Sequence, residues 1–225
     1  MERYAYVTLA TTESFLQGAK LLAYSLERVQ SKYPLIILVT ENLAHLLDDE
    51  HMYKVVPYER FTPSKETTHR YVDTRNKLRA FELVQYKRVL VIDADIFVLK
   101  NIDWIFEEYP EEEFFSGIRN FNGEKWFCGD RLMITPKQGQ YEEFWLDPWN
   151  ENYPTDEKML EHVYHDFFDK YDSFYFPGSE SIAHMSGLVK YWEVLNLYPN
   201  KLEELSNEEL EKLFDAWSAV QPYLK

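Results

Sequence analysis

The sequence predicts an α/β fold: a mostly parallel central sheet flanked by helices, with one more helix at the C-terminus. Three observations carry this. Short apolar runs alternate with segments of helical spacing from Tyr4 to Tyr58. A long apolar run, Val89 to Leu99, is broken only by Asp93 and Asp95. A capping-box signature at Ser206 and Glu209 opens an amphipathic stretch through Val220. The 225 residues suit one sizeable core, so a single domain over residues 1–225 is expected, with a helical segment at about 200–225.

In chain order, Tyr4–Ala10 reads as a strand, and Ser14–Gln30 as a helix with Phe15, Ala19, Leu22, Leu26 and Val29 on one face. Leu35–Thr40 is a second strand, Glu41–Glu50 a short helix and Tyr53–Tyr58 a third strand. Asp73–Gln85 returns to helix and leads into the Asp93 strand. Further on, Glu113–Ile118 and Arg131–Thr135 read as strands, and Gln140–Trp145 and Asp156–Tyr171 as helices.

Bulk properties exclude several roles. A net charge of −15 argues against nucleic acid or an anionic membrane as the main partner, because both need a basic face. The single cysteine, Cys128, cannot form an intrachain disulfide, and no apolar run approaches the roughly 18 residues of a membrane span. No signal-peptide pattern precedes Tyr4, so a soluble, cytoplasmic protein is expected. Aromatic residues make up 17% of the chain, most of them expected in the core.

Asp93 and Asp95 are the sharpest functional signal. A carboxylate inside a buried apolar run is costly to desolvate without compensation. In an extended backbone, residues two apart project to the same side, so both carboxylates could reach one divalent cation. They also fall at the carboxyl end of a strand, where open α/β sheets bind ligands. A structural reading, two aspartates capping a turn, is the alternative. Two carboxylates leave room for a third ligand, and His184 is the best source. An imidazole favours Mn²⁺, with Mg²⁺ as the alternative. Gly187 allows close backbone approach to a diphosphate, and Lys190 offers a point charge for phosphate.

Three blocks together resemble glycosyltransferase family 8, and its glycogenin-like members most. The first is Val7-Thr8-Leu9-Ala10-Thr11-Thr12 with Phe15 and Gly18-Ala19. The second runs from Asn76-Lys77-Leu78 through Gln85-Tyr86 and Asp93-Ala94-Asp95 to Val98-Leu99-Lys100-Asn101-Ile102-Asp103. The third is His184-x-x-Gly187-x-x-Lys190-x-Trp192. The resemblance implies a GT-A, Rossmann-like fold and a retaining transfer of a hexose-type sugar from a UDP-sugar donor to a hydroxyl of a glycan, protein or small molecule. It implies Mn²⁺ held by Asp93, Asp95 and His184. Leu9, Thr11 and Phe15 would line the uridine, Phe15 standing where the family has tyrosine. Ala94, Lys77, Gly187 and Lys190 would contact the donor, with Asp156 and Lys77 at the reacting centre.

The chain also departs from the family pattern. Cys128-Gly129-Asp130 stands where the family has Asn-Ser-Gly, Glu157 follows Asp156 where Gln is expected, and Tyr191 replaces a Pro. Two other functions fit parts of the sequence: a phosphohydrolase of the haloacid-dehalogenase type, and a nonenzymatic nucleotide-sugar or glycan-binding protein. The first needs its Asp-x-Asp near the domain start and a later Gly-Asp-x-x-x-Asp, and this chain has neither. The sequence leaves the sugar, the acceptor and the oligomeric state open, a dimer being compatible with it.

Overall fold

The computed structural model describes residues 2–47, 53–60, 72–108, 114–121, 123–146, 155–170, 176–184 and 218. Gly187, Lys190, Trp192 and the capping box at Ser206 lie outside the described residues.

The first strand, β1 (Glu2–Ala10), runs into helix α1 (Glu13–Arg28). Thr12 caps the helix by accepting from the Phe15 N–H at 3.3 Å. The helix ends two residues earlier than its periodicity suggests, because Gln30 turns left-handed at φ 57°. There the Ser31 N–H bonds to Leu26 O and the Gln30 N–H to Glu27 O, a Schellman closure. Next come β2 (Leu35–Thr40), the short α2 (Glu41–Ala44) and β3 (Tyr53–Tyr58).

These strands form a six-stranded sheet of order β3-β2-β1-β4-β7-β6, with β4 spanning Tyr86–Ile92, β6 Phe114–Phe121 and β7 Glu124–Ile134. The pairings β3·β2, β2·β1 and β1·β4 are parallel, whereas β4·β7 and β7·β6 are antiparallel. The mostly parallel α/β sheet expected from the sequence is present. Side chains of the central strands alternate between two cores. On one face lie Tyr6, Leu35, Ile37, Leu90 and Ile92, packed with Leu22 and Leu26 of α1. On the other lie Val7, Ile36, Val89 and Val91, packed with Leu78, Phe81 and Met159. Burial on both faces is why β1, β2 and β4 read as continuous apolar runs.

The segment expected as an α-helix over Asp73–Gln85 is instead a 3₁₀ helix, Val72–Glu82. Its first turn is rich in Asp, Thr and Asn, which compete for backbone groups, and the Asn76 amide donates to Asp73 O at 2.9 Å. The three-residue repeat stacks Thr74 and Lys77 on one face.

Asp93 and Asp95 do not sit in a continuous strand. β4 ends at Ile92, the Ile96 N–H closes a turn onto Asp93 O at 3.1 Å, and β5 (Ile96–Val98) follows. The turn, not the pleat, brings the two carboxylates together. The loop after β5 leads into α3 (Ile105–Glu108).

β7 begins earlier than expected and carries an irregularity. Ser116 pairs with Leu132, but Gly117 pairs with Cys128, so Gly129, Asp130 and Arg131 bulge away from β6. Beyond it lie α4 (Gln140–Leu146), α5 (Asp156–Val163) and α6 (His165–Lys170). The long helix expected over Asp156–Tyr171 breaks at Tyr164, whose ring stacks 6.5 Å from that of Phe81 and whose hydroxyl accepts from Gln140 at 2.9 Å. Finally β8 (Ile182–His184) pairs antiparallel with β5. No helix among the described residues is long and apolar enough to cross a membrane.

Candidate functional site

The strand order reverses between β1 and β4. Helix α1 leads outward to β2 and β3, and the chain then returns to the other side of β1. A crevice opens beyond the carboxyl ends of strands at such a switch point. The register Val7↔Val91 sets the end of β1 beside the end of β4. Asp93-Ala94-Asp95 follows β4 directly, and Leu9, near the end of β1, and Thr11, just beyond it, lie on the same edge. All of Leu9, Thr11 and Phe15 are partly buried, and Phe15 lies in the first turn of α1.

The two-stranded β5·β8 ladder completes the site. It pairs Ile96 with His184, which fixes the imidazole one residue from Asp95. Ligand atoms of Asp93, Asp95 and His184 all lie within 4.8 Å of one another. Asp95 is buried, with 6% of its surface exposed, while Asp93 and His184 are partly open. His184 Nε2 lies 3.4 Å from Asp95 Oδ1. These separations bring all three side chains within reach of a single divalent cation, whose bonds to such donors are roughly 2.1 Å long. Two carboxylates and one imidazole suit Mn²⁺ by donor chemistry.

The electrostatics of the cluster fit that role. Burial pushes the Asp93 carboxyl up to about 6, Lys77 counteracts, and the nearby Asp95 charge adds to the rise. A group so placed gains from a further cation. Burial works against a charged His184, but Asp95, Asp130 and Asp93 outweigh it and hold the imidazole above its ordinary range. A metal at this site competes with a proton for the imidazole.

Beside this cluster, Lys77 is buried and rises from the 3₁₀ helix. Its ammonium lies 2.6 Å from Asp93 Oδ1, 3.5 Å from Asp156 Oδ2, and donates to Gly129 O at 2.8 Å. Burial disfavours its charge, yet Asp156 and Asp93 keep it firmly protonated. Asp156 is 2% exposed at the first position of α5, where the helix N-terminus favours an anion. Its backbone N–H donates to Thr74 Oγ1 at 3.4 Å, so one face of the 3₁₀ helix holds the start of α5. Glu157 accepts from the Gly129 N–H at 2.8 Å. Burial first, and then Asp156, pushes its carboxyl up to about 7. A side chain at Gly129 would fit only tightly: a Cβ there would stand 3.0 Å from Glu157 and 3.1 Å from Asp156 Oδ2.

Of the sequence-derived candidates, the structure thus gathers Asp93, Asp95, His184, Lys77 and Asp156, and sets Leu9, Thr11 and Phe15 on the same sheet edge. Gly187 and Lys190 fall outside the described residues. Sequence reasoning sets Cys128-Gly129-Asp130 where the family has Asn-Ser-Gly, but it connects neither Asp130 nor Arg131, bulged residues of β7, with the candidate metal ligands. A signal is nonetheless present: Asp130-Arg131 interrupts the apolar stretch from Trp126 to Ile134 much as Asp93 and Asp95 interrupt theirs.

No family model matches the chain. Galactinol synthase 2 of Arabidopsis thaliana is 32% identical over 142 residues, a match covering 59% of this chain and 42% of that protein. Galactinol synthase 3 of the same plant is 32% identical over 124 residues, covering 51% and 36%. The chain thus spans less than half the length of these relatives. Among solved structures, the galactosyltransferase LgtC in complex with donor and acceptor sugar analogues matches with a TM-score of 0.60 at 14% identity, covering 93% of this chain and 100% of that one. The apo-form glycosyltransferase GlyE of Streptococcus pneumoniae TIGR4 matches with a TM-score of 0.57 at 14% identity, covering 97% and 64%. At that identity the likeness speaks for the fold, and it bears out the architecture expected from the sequence.

Proposed function

We propose that this chain, which has a GT-A fold, is a glycogenin-like family 8 glycosyltransferase that transfers a hexose-type sugar from a UDP-sugar to a hydroxyl acceptor with retention of configuration, using Mn²⁺. The observation that carries this reading is the convergence of Asp93, Asp95 and His184 within 4.8 Å at the sheet's switch point, with a buried lysine beside them.

The bond to be broken joins the anomeric carbon to the oxygen of the β-phosphate, and UDP departs with growing negative charge. Asp93, Asp95 and His184 would hold the cation, which supplies Lewis-acid stabilisation of that leaving diphosphate. Leu9, Thr11 and Phe15 bind the uridine in this reading, far from the reacting bond, and so orient the donor. Ala94 is buried in the Asp93–Asp95 turn and presents backbone to the donor. Gly187 and Lys190 are assigned to the diphosphate on the family pattern. Lys77 keeps a fixed positive charge between Asp93 and Asp156, and so lets two carboxylates face the donor without mutual repulsion. Asp156, at the helix N-terminus, accepts from a sugar hydroxyl in this reading. Glu157 in place of glutamine gives the site an extra titratable acceptor, which bears on which sugar is read.

The test is UDP release from a panel of UDP-sugars with Mn²⁺ and without an acceptor, water then taking the sugar. Release from one or a few donors, abolished by a chelator, is expected. Phosphate release from phosphomonoesters with no UDP release from any donor would overturn the proposal.

A further inference from the structure

We propose that Asp130, braced by Arg131, is a positioning residue that orients His184 toward the cation; this rests on the reading of Asp93, Asp95 and His184 as a metal site. Two contacts single out Asp130. Its backbone carbonyl accepts from the Asp93 N–H at 3.0 Å, fixing the turn that carries both carboxylates. Its carboxylate Oδ2 lies 3.5 Å from His184 Nδ1, on the opposite side of the ring from the Nε2 that faces Asp95. One residue therefore touches two of the three candidate ligands. With Nδ1–H directed at Asp130, Nε2 is left with its lone pair toward the carboxylates, the tautomer a metal needs.

Asp130 is itself held. Arg131 Nε donates to Asp130 Oδ2 at 3.1 Å, and Nη2 lies 3.1 Å from the same oxygen. Arg131 Nη1 donates to Ser179 Oγ at 2.9 Å, and the guanidinium lies 5.1 Å from the centre of the Phe176 ring. Ser179 in turn donates to Phe176 O at 2.6 Å and opens the short turn that leads into β8 and His184. The chain of contacts thus leaves β7 at the bulge, passes through Asp130 and Arg131, and returns to the base of the strand that carries His184. The bulge is what permits it, since regular pairing with β6 would alternate these two side chains across the sheet. Arg131 has a second effect: it neutralises Asp130, so that a third carboxylate beside Asp93 and Asp95 does not compete for the cation.

The test is Mn²⁺ binding followed by electron paramagnetic resonance, with the ¹⁴N modulation of a coordinated imidazole as spectroscopic signature. Asp130→Asn is expected to weaken Mn²⁺ binding by about 10- to 100-fold, the range for loss of a carboxylate behind a metal-bound histidine, and to diminish the ¹⁴N signal. Ser179→Ala, which removes both the Arg131 contact and the bond to Phe176 O, is expected to weaken binding by a smaller factor, and by more than any change in thermal unfolding of the metal-free protein accounts for. Wild-type affinity and ¹⁴N modulation in Asp130→Asn would overturn the proposal. So would weaker binding that merely tracks a lower unfolding temperature in both variants. A wild-type protein that binds no Mn²⁺ would instead overturn the metal reading on which the proposal stands.

Discussion

Asp95→Asn is expected to lower Mn²⁺-dependent UDP release by about a thousandfold while leaving the fold intact, a loss of several kcal/mol in transition-state stabilisation. Asp95 is the most enclosed of the three candidate ligands, and its carboxylate faces both the Asp93 charge and the His184 ring. The amide keeps the shape and removes the charge. Without a cation that removal relieves repulsion with Asp93, so thermal unfolding in chelator should match or exceed that of the wild type. With Mn²⁺ present, the wild type should gain stability and the variant should not, because a ligand stabilises only the state that binds it. Initial rates of UDP release, together with melts at several Mn²⁺ concentrations, check both halves. A variant that turns over at the wild-type rate would remove Asp95 from the metal site.

The second large effect concerns stability. Asp103→Ala is expected to cost about 3 kcal/mol of unfolding free energy, because it strands the buried Tyr6 hydroxyl and removes three partly buried hydrogen bonds at once. The Asp103 carboxylate accepts from Tyr6 OH at 2.8 Å, Ser31 Oγ at 2.8 Å, the Lys32 N–H at 2.9 Å and Asn101 Nδ2 at 3.4 Å. It ties the middle of β1 to the turn after α1 and to the loop after β5. Burial, with Asp103 beside it, pushes the Tyr6 hydroxyl well above its usual range, so this phenol stays a neutral donor. Asn101 closes the same knot: its Oδ1 accepts from the Asp103 N–H at 2.9 Å, and its amide donates to Val29 O at 3.0 Å. Urea unfolding measures the cost. Asp103→Asn, which keeps an acceptor, should lose less than the alanine variant. A loss below about 1 kcal/mol for alanine would show that water replaces the carboxylate.

Asn101 and Asp103 also show how far the sequence can be read. Both belong to the motif that suggests the family, yet in the structure they build a partly buried hydrogen-bonded knot apart from the candidate ligands. The motif alone does not separate residues that hold the scaffold from residues that face the crevice. The parallel part of the sheet is legible because β1, β2 and β4 are buried on both faces, which writes an unbroken apolar run into the chain. The turn at Asp93–Asp95 is not: an apolar run with two interruptions looks the same whether it stays extended or bends, and only the Ile96-to-Asp93 bond decides. The 3₁₀ helix reads as α because Leu78, Phe81 and Leu83 suit either winding. The three-residue repeat matters for the site, since it aligns Thr74 and Lys77 on the start of α5. Asp130 and Arg131 are hidden for a different reason. Their placement depends on a register shift between β6 and β7, and no local pattern in a strand reports where its partner slips.

The central claim is that Asp93, Asp95 and His184 hold one divalent cation, through which the diphosphate of the donor is bound. An anomalous difference map at the manganese edge, from crystals grown with Mn²⁺ and UDP, tests it most directly. One strong peak, bonded to all three side chains and to diphosphate oxygens, is expected. UDP seated without a metal peak, or a peak that leaves these three residues uncoordinated, would contradict it.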